Sequence, residues 1–154
     1  MAVRKFKTED LEAVIDVASA LHPQWFTEAA LQEIASDVQR QNAYVATLNE
    51  KIVGFASYQT SDVDKNAELT WIGVLSEMHR HGIGRMMMDT IEHAAAREGV
   101  KMFEVCTVAE TVEYEPYALT RRFYHALGFR DLKIELKGFP SGDDKLILRK
   151  QLQT

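Results

Sequence analysis

A glycine-punctuated turn constrains this chain more than any other feature of its sequence. The turn runs from His79 to Arg85 and reads HRHGIGR. An extended apolar segment, Leu69 to Leu75, precedes it, and apolar residues at helical spacing follow it from Ile83 to Ala95. The pattern therefore predicts a strand, a tight turn and a helix in direct succession.

The start of a helix reached through such a turn is suited to bind an anion. Its first backbone N–H groups lack partners, and the helix dipole places partial positive charge there. A phosphate could approach the backbone closely at Gly82 and Gly84, which have no Cβ atom. We therefore predict a polyphosphate site, with a plain strand-to-helix connection as the alternative. Side-chain charge would come from Arg80, Arg85 and, when protonated, His79 and His81.

Two common phosphate loops do not match this turn. A Walker loop needs a glycine followed by Lys-Ser or Lys-Thr, and the sequence contains no such run. A dinucleotide fingerprint needs a third glycine, and Met87 occupies that position.

Composition restricts the class of protein. With 154 residues, of which 46% are hydrophobic and 27% charged, residues 1–154 are expected to form a single globular domain. The net charge of −5 argues against a nucleic-acid-binding protein. The only cysteine, Cys106, excludes an internal disulfide and a cysteine zinc cluster, and no histidine pair indicates a metal site. No apolar run reaches the roughly 20 residues that span a bilayer, and no secretory signal is evident. We therefore expect a cytoplasmic protein without metal or membrane partner.

The remaining patterns give an alternation of strands and helices. Thr8 and Thr27 are candidate N-caps of the first two helices. The segments Ala43 to Leu48 and Lys51 to Tyr58 are typical of a hairpin, joined at Asn49-Glu50. The predicted order β-α-α-β-β-β-α-β-α-β-β indicates an α/β (α+β) fold, a mixed sheet with helices on its faces.

A second motif, FYHALGF from Phe123 to Phe129, ends the helix that follows the next predicted strand after the turn. In this order the two motifs resemble those of the GNAT N-acetyltransferase superfamily. The motifs match from about Glu68 to Phe129, and the order of elements is similar over nearly the whole chain. The acetyl-CoA signature of that family, Gln/Arg-x-x-Gly-x-Gly/Ala, reads HRHGIG here, so His79 replaces the usual first residue and Arg80 could brace the loop instead. The resemblance implies a mostly antiparallel twisted sheet of about seven strands with four helices on its faces.

The resemblance also implies a reaction. Acetyl-CoA, bound as co-substrate, would transfer its acetyl group to a primary amine by direct attack in a ternary complex. The pantetheine arm would enter between Ala67 to Leu75 and Lys101 to Val108, where the N–H of Val74 or Leu75 would polarise the thioester oxygen. The pyrophosphate would lie on the amides of Gly82, Ile83, Gly84, Arg85, Met86 and Met87.

Two side chains are the candidate catalytic groups. The resemblance places Tyr124 near the CoA sulfur as general acid, although a Phe-Tyr pair before Gly-Phe is also typical of core packing. Glu68 precedes the glycine turn by a distance similar to that of the general base in related enzymes. A solvent-facing role for Glu68 is the alternative, and Glu113 or Glu115 is an alternative base.

The acceptor amine is predicted to bind between two connections. Trp25 and Phe26 would form its wall in the helix–helix connection, unless they pack in the core. Glu113 and Glu115, with Tyr117, would concentrate cationic amines at the entrance, unless they belong to an ordinary solvated loop.

These predictions describe an N-acetyltransferase with a small-molecule or peptide amine as acceptor and with no nucleic-acid partner. A homodimer is compatible with the resemblance. Two other hypotheses stay open: a catalytically silent CoA-binding module with a sensor or regulatory role, and a structural domain without cofactor.

Overall fold

The computed structural model describes residues 1–152. Short 3-10 turns precede α1 and α3, at Thr8–Asp10 and Ser76–Met78. The helices are α1 (Leu11–Ala20), α2 (Glu28–Arg40), α3 (Ile83–Arg97) and α4 (Glu115–Ala126). The strands are β1 (Ala2–Lys5), β2 (Asn42–Leu48), β3 (Lys51–Thr60), β4 (Asn66–Val74), β5 (Met102–Val108), β6 (Arg130–Glu135) and β7 (Lys145–Gln151).

The strands form a seven-stranded sheet in the order β1-β2-β3-β4-β5-β7-β6. Neighbouring strands are antiparallel except for β4 and β5, which are parallel. The predicted fold class, a mixed and mostly antiparallel sheet with four helices, is therefore confirmed. The single parallel pair needs a crossover connection, and α3 supplies it.

The helices cover opposite faces of the sheet. Neighbouring residues of a strand point to opposite faces of the sheet. Gly54 and Phe55 on β3 therefore identify which helices cover each face. A Cβ atom on Gly54 would lie 3.2 Å from the side chain of Met87 on α3. A Cβ atom on Gly73, the partner of Phe55, would instead lie 3.1 Å from Leu21 at the end of α1. Thus α1 and α2 pack on one face, and α3 and α4 pack on the other.

Apolar side chains of the sheet and of α3 and α4 fill the larger part of the core. Phe103 is its aromatic centre, with ring centroids 5.6 Å from Tyr58 and 6.4 Å from Phe129. All three side chains are fully buried or nearly so. The α4 helix is thereby fixed against β5, which sets the position of the residues it carries.

Local signals have mixed outcomes. The Thr27 cap of α2 is confirmed, because its hydroxyl accepts a hydrogen bond from the Ala30 N–H at 3.1 Å. The Thr8 cap is wrong: Asp10 accepts the Lys7 N–H at 2.8 Å, and Thr8 lies inside the 3-10 turn. The hairpin is confirmed, and Asn49 and Glu50 both adopt the positive φ angles that a tight two-residue turn requires.

Candidate functional site

The parallel strands β4 and β5 separate after a short region of pairing. Asn66–Glu68 pairs with Met102–Glu104, and no further register partners join the two strands among residues 1–152. Beyond Glu68 the strands diverge towards their carboxyl ends. We call this opening the splay. It leaves backbone groups on β4 without a neighbouring strand, as the family resemblance implies.

Ladder geometry tells which groups of β4 face the splay. The Leu75 N–H donates to the Val53 carbonyl at 3.0 Å, so Leu75 and Val53 form a hydrogen-bonded pair of the antiparallel ladder. Hydrogen-bonded and non-hydrogen-bonded pairs alternate, and the next pair, Val74 and Gly54, therefore exchanges no hydrogen bonds. The N–H of Val74 therefore points away from β3 and into the splay. The prediction for Leu75 is wrong, because its N–H is already bonded. The two-residue period of the strand adds Ile72, which the sequence analysis missed.

The glycine turn leads directly into α3. Gly82 is the N-cap, in the left-handed region at φ 78°, and α3 begins at Ile83. The Met86 N–H donates to the Gly82 carbonyl at 3.0 Å, so hydrogen bonding within the helix starts there. The predicted amide contacts of Met86 and Met87 are therefore wrong, because these N–H groups belong to the helix and Met87 is fully buried. The N–H groups open to an anion are those of Ile83, Gly84 and Arg85.

The two glycines of the turn serve different purposes. A Cβ atom on Gly82 would meet no atom within 4 Å, so the positive φ angle and an open approach explain this residue. A Cβ atom on Gly84 would lie 2.9 Å from the ring of Phe123 on α4. Packing against Phe123 therefore accounts for the missing side chain of Gly84, and the contact of its N–H group with a phosphate stays a prediction. The small size of Gly84 allows α3 and α4 to pack closely.

His79 braces the turn. Its Nε2 atom donates a hydrogen bond to the Val74 carbonyl at 2.8 Å, and its ring lies edge-on to Trp25, with centroids 5.8 Å apart. Arg80 was the predicted substitute, but its side chain is exposed and makes no hydrogen bond among residues 1–152. His81 and Arg85 are also exposed beside the turn. The residue that departs from the family signature thus connects the turn to β4.

Trp25 and Phe26 have separate environments. Phe26 packs on Phe55 and Trp71, with centroids 6.2 and 5.9 Å away, at the edge of the core under α1 and α2. Trp25 is half-buried against His79. Both side chains are half-buried, and their contact with an acceptor stays a prediction.

Glu68 and Tyr124 approach the splay from opposite faces of the sheet. Tyr124 is buried between Phe123 and Phe129 on the face of α4, and burial raises its pKa far above the ordinary value. Glu68 is exposed on the other face, where partial burial of its carboxyl group and the neighbouring Glu104 raise its pKa.

Cys106 on β5 lies within electrostatic reach of both Tyr124 and Glu68. Burial raises the pKa of its thiol to about 11. Such a thiol stays protonated at neutral pH and is a weak nucleophile. The thiol of Cys106 therefore does not compete with the two candidate catalytic groups as a nucleophile or base.

The connection between β5 and α4 is tied to the other two loops at this end of the sheet. The Tyr114 hydroxyl donates to the Gln24 carbonyl at 3.0 Å, and Tyr117 packs against Tyr114 with centroids 4.8 Å apart. Asp144 accepts the Thr111 hydroxyl at 2.7 Å, and this bond lowers the pKa of Asp144. These contacts hold the rim of the splay in place.

The predicted acidic residues of that connection are exposed. Glu113 makes no ion pair among residues 1–152, and Glu115 at the start of α4 lies 3.9 Å from Arg122. Tyr117 is half-buried, seven residues before Tyr124 on the same helix, as predicted. Their contact with an acceptor stays a prediction.

Residues 1–152 contain no cluster of three or more His, Cys, Asp or Glu side chains arranged to hold a metal ion. None of the helices they form has both the length and the apolar character needed to cross a membrane.

An open parallel pair in a mixed sheet, with free helix amides beside it, defines the class of acyl-group transferases that the sequence indicated. A family model described as "Acetyltransferase (GNAT) domain" matches residues 39–131, and the chain therefore belongs to the GNAT acetyltransferase family. A curated relative from Methanocaldococcus jannaschii, an uncharacterised N-acetyltransferase, is 26% identical over 152 residues, which cover 98% of this chain and 92% of the relative. By class the protein is an N-acetyltransferase.

Solved structures show the same fold over the whole length. A putative acetyltransferase of the GNAT family from Desulfovibrio desulfuricans superposes with a TM-score of 0.87 at 23% identity, and 99% of each chain is covered. The ribosomal-protein-S18-alanine N-acetyltransferase from Escherichia coli superposes with a TM-score of 0.81 at 22% identity, covering 99% of this chain and 94% of that enzyme.

Proposed function

We propose that the protein transfers the acetyl group of acetyl-CoA to a primary amine by direct attack in a ternary complex. The observation that carries this proposal is the splay, whose unpaired Val74 and Ile72 N–H groups lie on the strand that leads to the free amides of α3. A chain that needed only a stable sheet would pair these groups, because unsatisfied backbone donors are costly.

The residues of the site fit acetyl-CoA. The free N–H groups at the start of α3 and the exposed Arg85 provide donors and charge for a pyrophosphate. The splay offers backbone donors to an extended chain with amide groups, in the manner of an added strand. His79 connects these two parts through its bond to the Val74 carbonyl. The proposed cofactor residues are thus Val74, Ile72, His79, Gly82, Ile83, Gly84 and Arg85.

When bound, acetyl-CoA would supply a thioester whose C–S bond breaks as a C–N bond to the amine forms, with sulfur leaving as thiolate. An N–H of Ile72 or Val74 would stabilise negative charge on the carbonyl oxygen, the role that backbone donors play in acyl transfer. Holding both reactants on the same sheet edge would remove much of the entropic barrier.

Glu68 would act as general base and Tyr124 as general acid, on opposite sides of the sheet. The Glu68 carboxylate would accept a proton from the attacking amine through water, because the β3 partners of Glu68 and Ile72 lie three residues, about 10 Å, apart. Tyr124 stays a neutral phenol, because burial raises its pKa, and would donate its proton to the departing sulfur. The acid thus lies on the helix face that carries the turn, and the base lies on the face open to an acceptor.

A binding experiment on charge-reversed variants tests the cofactor part of the proposal. Arg85→Glu places a negative charge in the first turn of α3 and should weaken acetyl-CoA binding at least tenfold by calorimetry. Arg97→Glu is the matched control, because it makes the same change in the last turn of the same helix. Equal affinities of the two variants would contradict the phosphate site.

A second experiment tests catalysis. Free thiol released from acetyl-CoA should appear only when a suitable primary amine is present, and acetylated amine should form in equal amount by mass spectrometry. Tight acetyl-CoA binding without transfer to any member of a broad amine panel would favour a silent CoA-binding module instead.

A further inference from the structure

A charged cavity lies beside the splay, on the face of the sheet away from α3 and α4. Its volume is about 440 Å³, and β5, β6 and β7 form most of its floor and walls. Cys106 and Ile147, which are register partners, lie near its middle. The lining residues are Glu68, Glu104, Cys106, Leu132, Lys133, Glu135, Lys145, Ile147 and Arg149.

The charges around this cavity balance, but they do not all pair. Three carboxylates and three cations line it. Arg149 bonds to Glu104 at 2.9 Å, and Lys133 lies 3.4 Å from Glu135. Within residues 1–152 the two groups left without an ion pair are the Glu68 carboxylate and the Lys145 ammonium.

These two charges lie at opposite ends of the cavity. Glu68 is the register partner of Glu104, at the closed end of the splay. Lys145 is the register partner of Val108, four residues further along β5, which corresponds to about 13 Å of strand. The Lys145 ammonium lies 5.5 Å from the centroid of the Phe139 ring, which holds it on the cavity rim. The side chains still sense each other, because Lys145 opposes the rise in the pKa of Glu68 that burial and Glu104 cause.

We propose that the acceptor is an amine that also carries an anionic group, with its anion bound by Lys145 and its ammonium linked to Glu68 through water. This inference rests on the proposed function and specifies its substrate. A molecule with one charge of each sign would provide an opposite charge for both unpaired groups at once. A simple cationic amine would leave Lys145 unpaired, and a purely anionic ligand would leave Glu68 unpaired. The anion can be a carboxylate or a phosphate, since both accept hydrogen bonds from an ammonium.

Matched pairs of acceptors test the inference. Glycine, β-alanine and 4-aminobutanoate are each compared with their carboxamides, and 2-aminoethyl phosphate is compared with ethanolamine. The best anionic acceptor should have a kcat/KM about tenfold above that of its neutral partner, since a charge-assisted hydrogen bond is lost in the neutral molecule. The carboxylate and phosphate arms identify which anion the site prefers.

Variants then assign the effect to Lys145. Lys145→Met should bring the ratio between anionic and neutral acceptors close to one, and Lys145→Arg should keep the preference. Lys51→Met, which removes the same charge from the exposed start of β3, is the matched control and should leave the ratio unchanged. A ratio that Lys145→Met does not alter, or a preference for the neutral acceptors, would overturn the inference.

Binding separates this inference from the proposed reaction. Saturation-transfer NMR with the same acceptor pairs, in the presence of CoA, reports recognition without turnover. Preferential binding of the anionic acceptor, lost in Lys145→Met, supports the site even if no acetyl transfer is detected. Equal binding of both members of every pair overturns it, whether or not the enzyme acetylates other amines.

Discussion

The glycine turn allows a prediction that separates helix packing from ligand binding. Gly84→Ala places a Cβ atom 2.9 Å from the ring of Phe123, so the ring must shift. Overpacking of this kind costs about 1–3 kcal/mol, and the higher helix propensity of alanine returns up to about 1 kcal/mol. We therefore expect a net loss of about 1 kcal/mol in the free energy of unfolding. Gly82→Ala should cost a similar amount for another reason, because alanine disfavours a φ of 78°.

A double-mutant cycle with Phe123→Leu distinguishes the two causes. The shorter side chain gives the new Cβ atom room, so Gly84→Ala should cost about 1 kcal/mol less in that background. Gly82→Ala should cost the same in both backgrounds, within the roughly 0.3–0.5 kcal/mol expected of independent sites. Urea unfolding followed by circular dichroism measures all six proteins. If Gly84→Ala costs the same with Phe123 and with leucine, the packing explanation fails.

The same proteins test the anion site. The Cβ atom at position 84 points towards α4, so Gly84→Ala in the Phe123→Leu background should bind acetyl-CoA as Phe123→Leu alone does. Gly82→Ala should bind it more weakly, because residue 82 is the N-cap of α3, next to the free amides. Calorimetry with acetyl-CoA gives both values. Weakened binding only in the Gly84 variant would reverse the roles assigned to the two glycines.

Three further predictions concern protons. Tyr124→Phe should lower kcat by about 10² with an unchanged acetyl-CoA Kd, because it removes a proton donor and little packing; an unchanged kcat in pre-steady-state measurements would reduce Tyr124 to a core residue. For wild type, kcat/KM should rise with pH through an inflection above the ordinary glutamate range, because the raised pKa keeps Glu68 protonated at lower pH, and Glu68→Gln should remove that inflection. Asp10→Asn should lower the free energy of unfolding by about 1–3 kcal/mol at pH 7 in urea titrations, because the buried Asp10 carboxylate bonds Arg4 at 2.8 Å. Since the pKa of Asp10 is lowered in the folded state, this difference should be present above pH about 4 and vanish as the pH falls through that lowered pKa.

The sequence predicted the fold well because its local signals were strong and independent. Hydrophobic periodicity located all four helices, and the glycine turn fixed the point where a strand leads into α3. The Asn49-Glu50 hairpin was predicted although it lacks glycine, because the two flanking strands left only those residues for the turn. These features depend on neighbours in sequence, which a single chain displays directly.

The site was predicted less completely because several of its contacts join distant parts of the chain. Gly84 was assigned to phosphate, since nothing in its local sequence indicates that Phe123 lies against it. The bonded state of the Leu75 N–H depends on its register with β3, which sequence alone does not give. Lys145 carried no motif, and only the neighbouring strands show that it faces the same cavity as Glu68.

One irregularity of β4 decides which backbone groups the splay offers. The register between β3 and β4 shifts between Ser57 and Tyr58, so that Tyr58 pairs with Leu69 while Ser57 pairs with Trp71, and Thr70 is the extra residue. This residue changes the phase of the strand by half a period. If Thr70 paired with Ser57 instead, the N–H groups of Trp71 and Gly73 would face the opening, and the indole that now bonds Asp37 at 2.8 Å would turn towards α3. The bulge therefore decides that Ile72 and Val74, and not Trp71 and Gly73, present their N–H groups to the splay, while the Trp71 indole stays on the face that α1 and α2 cover.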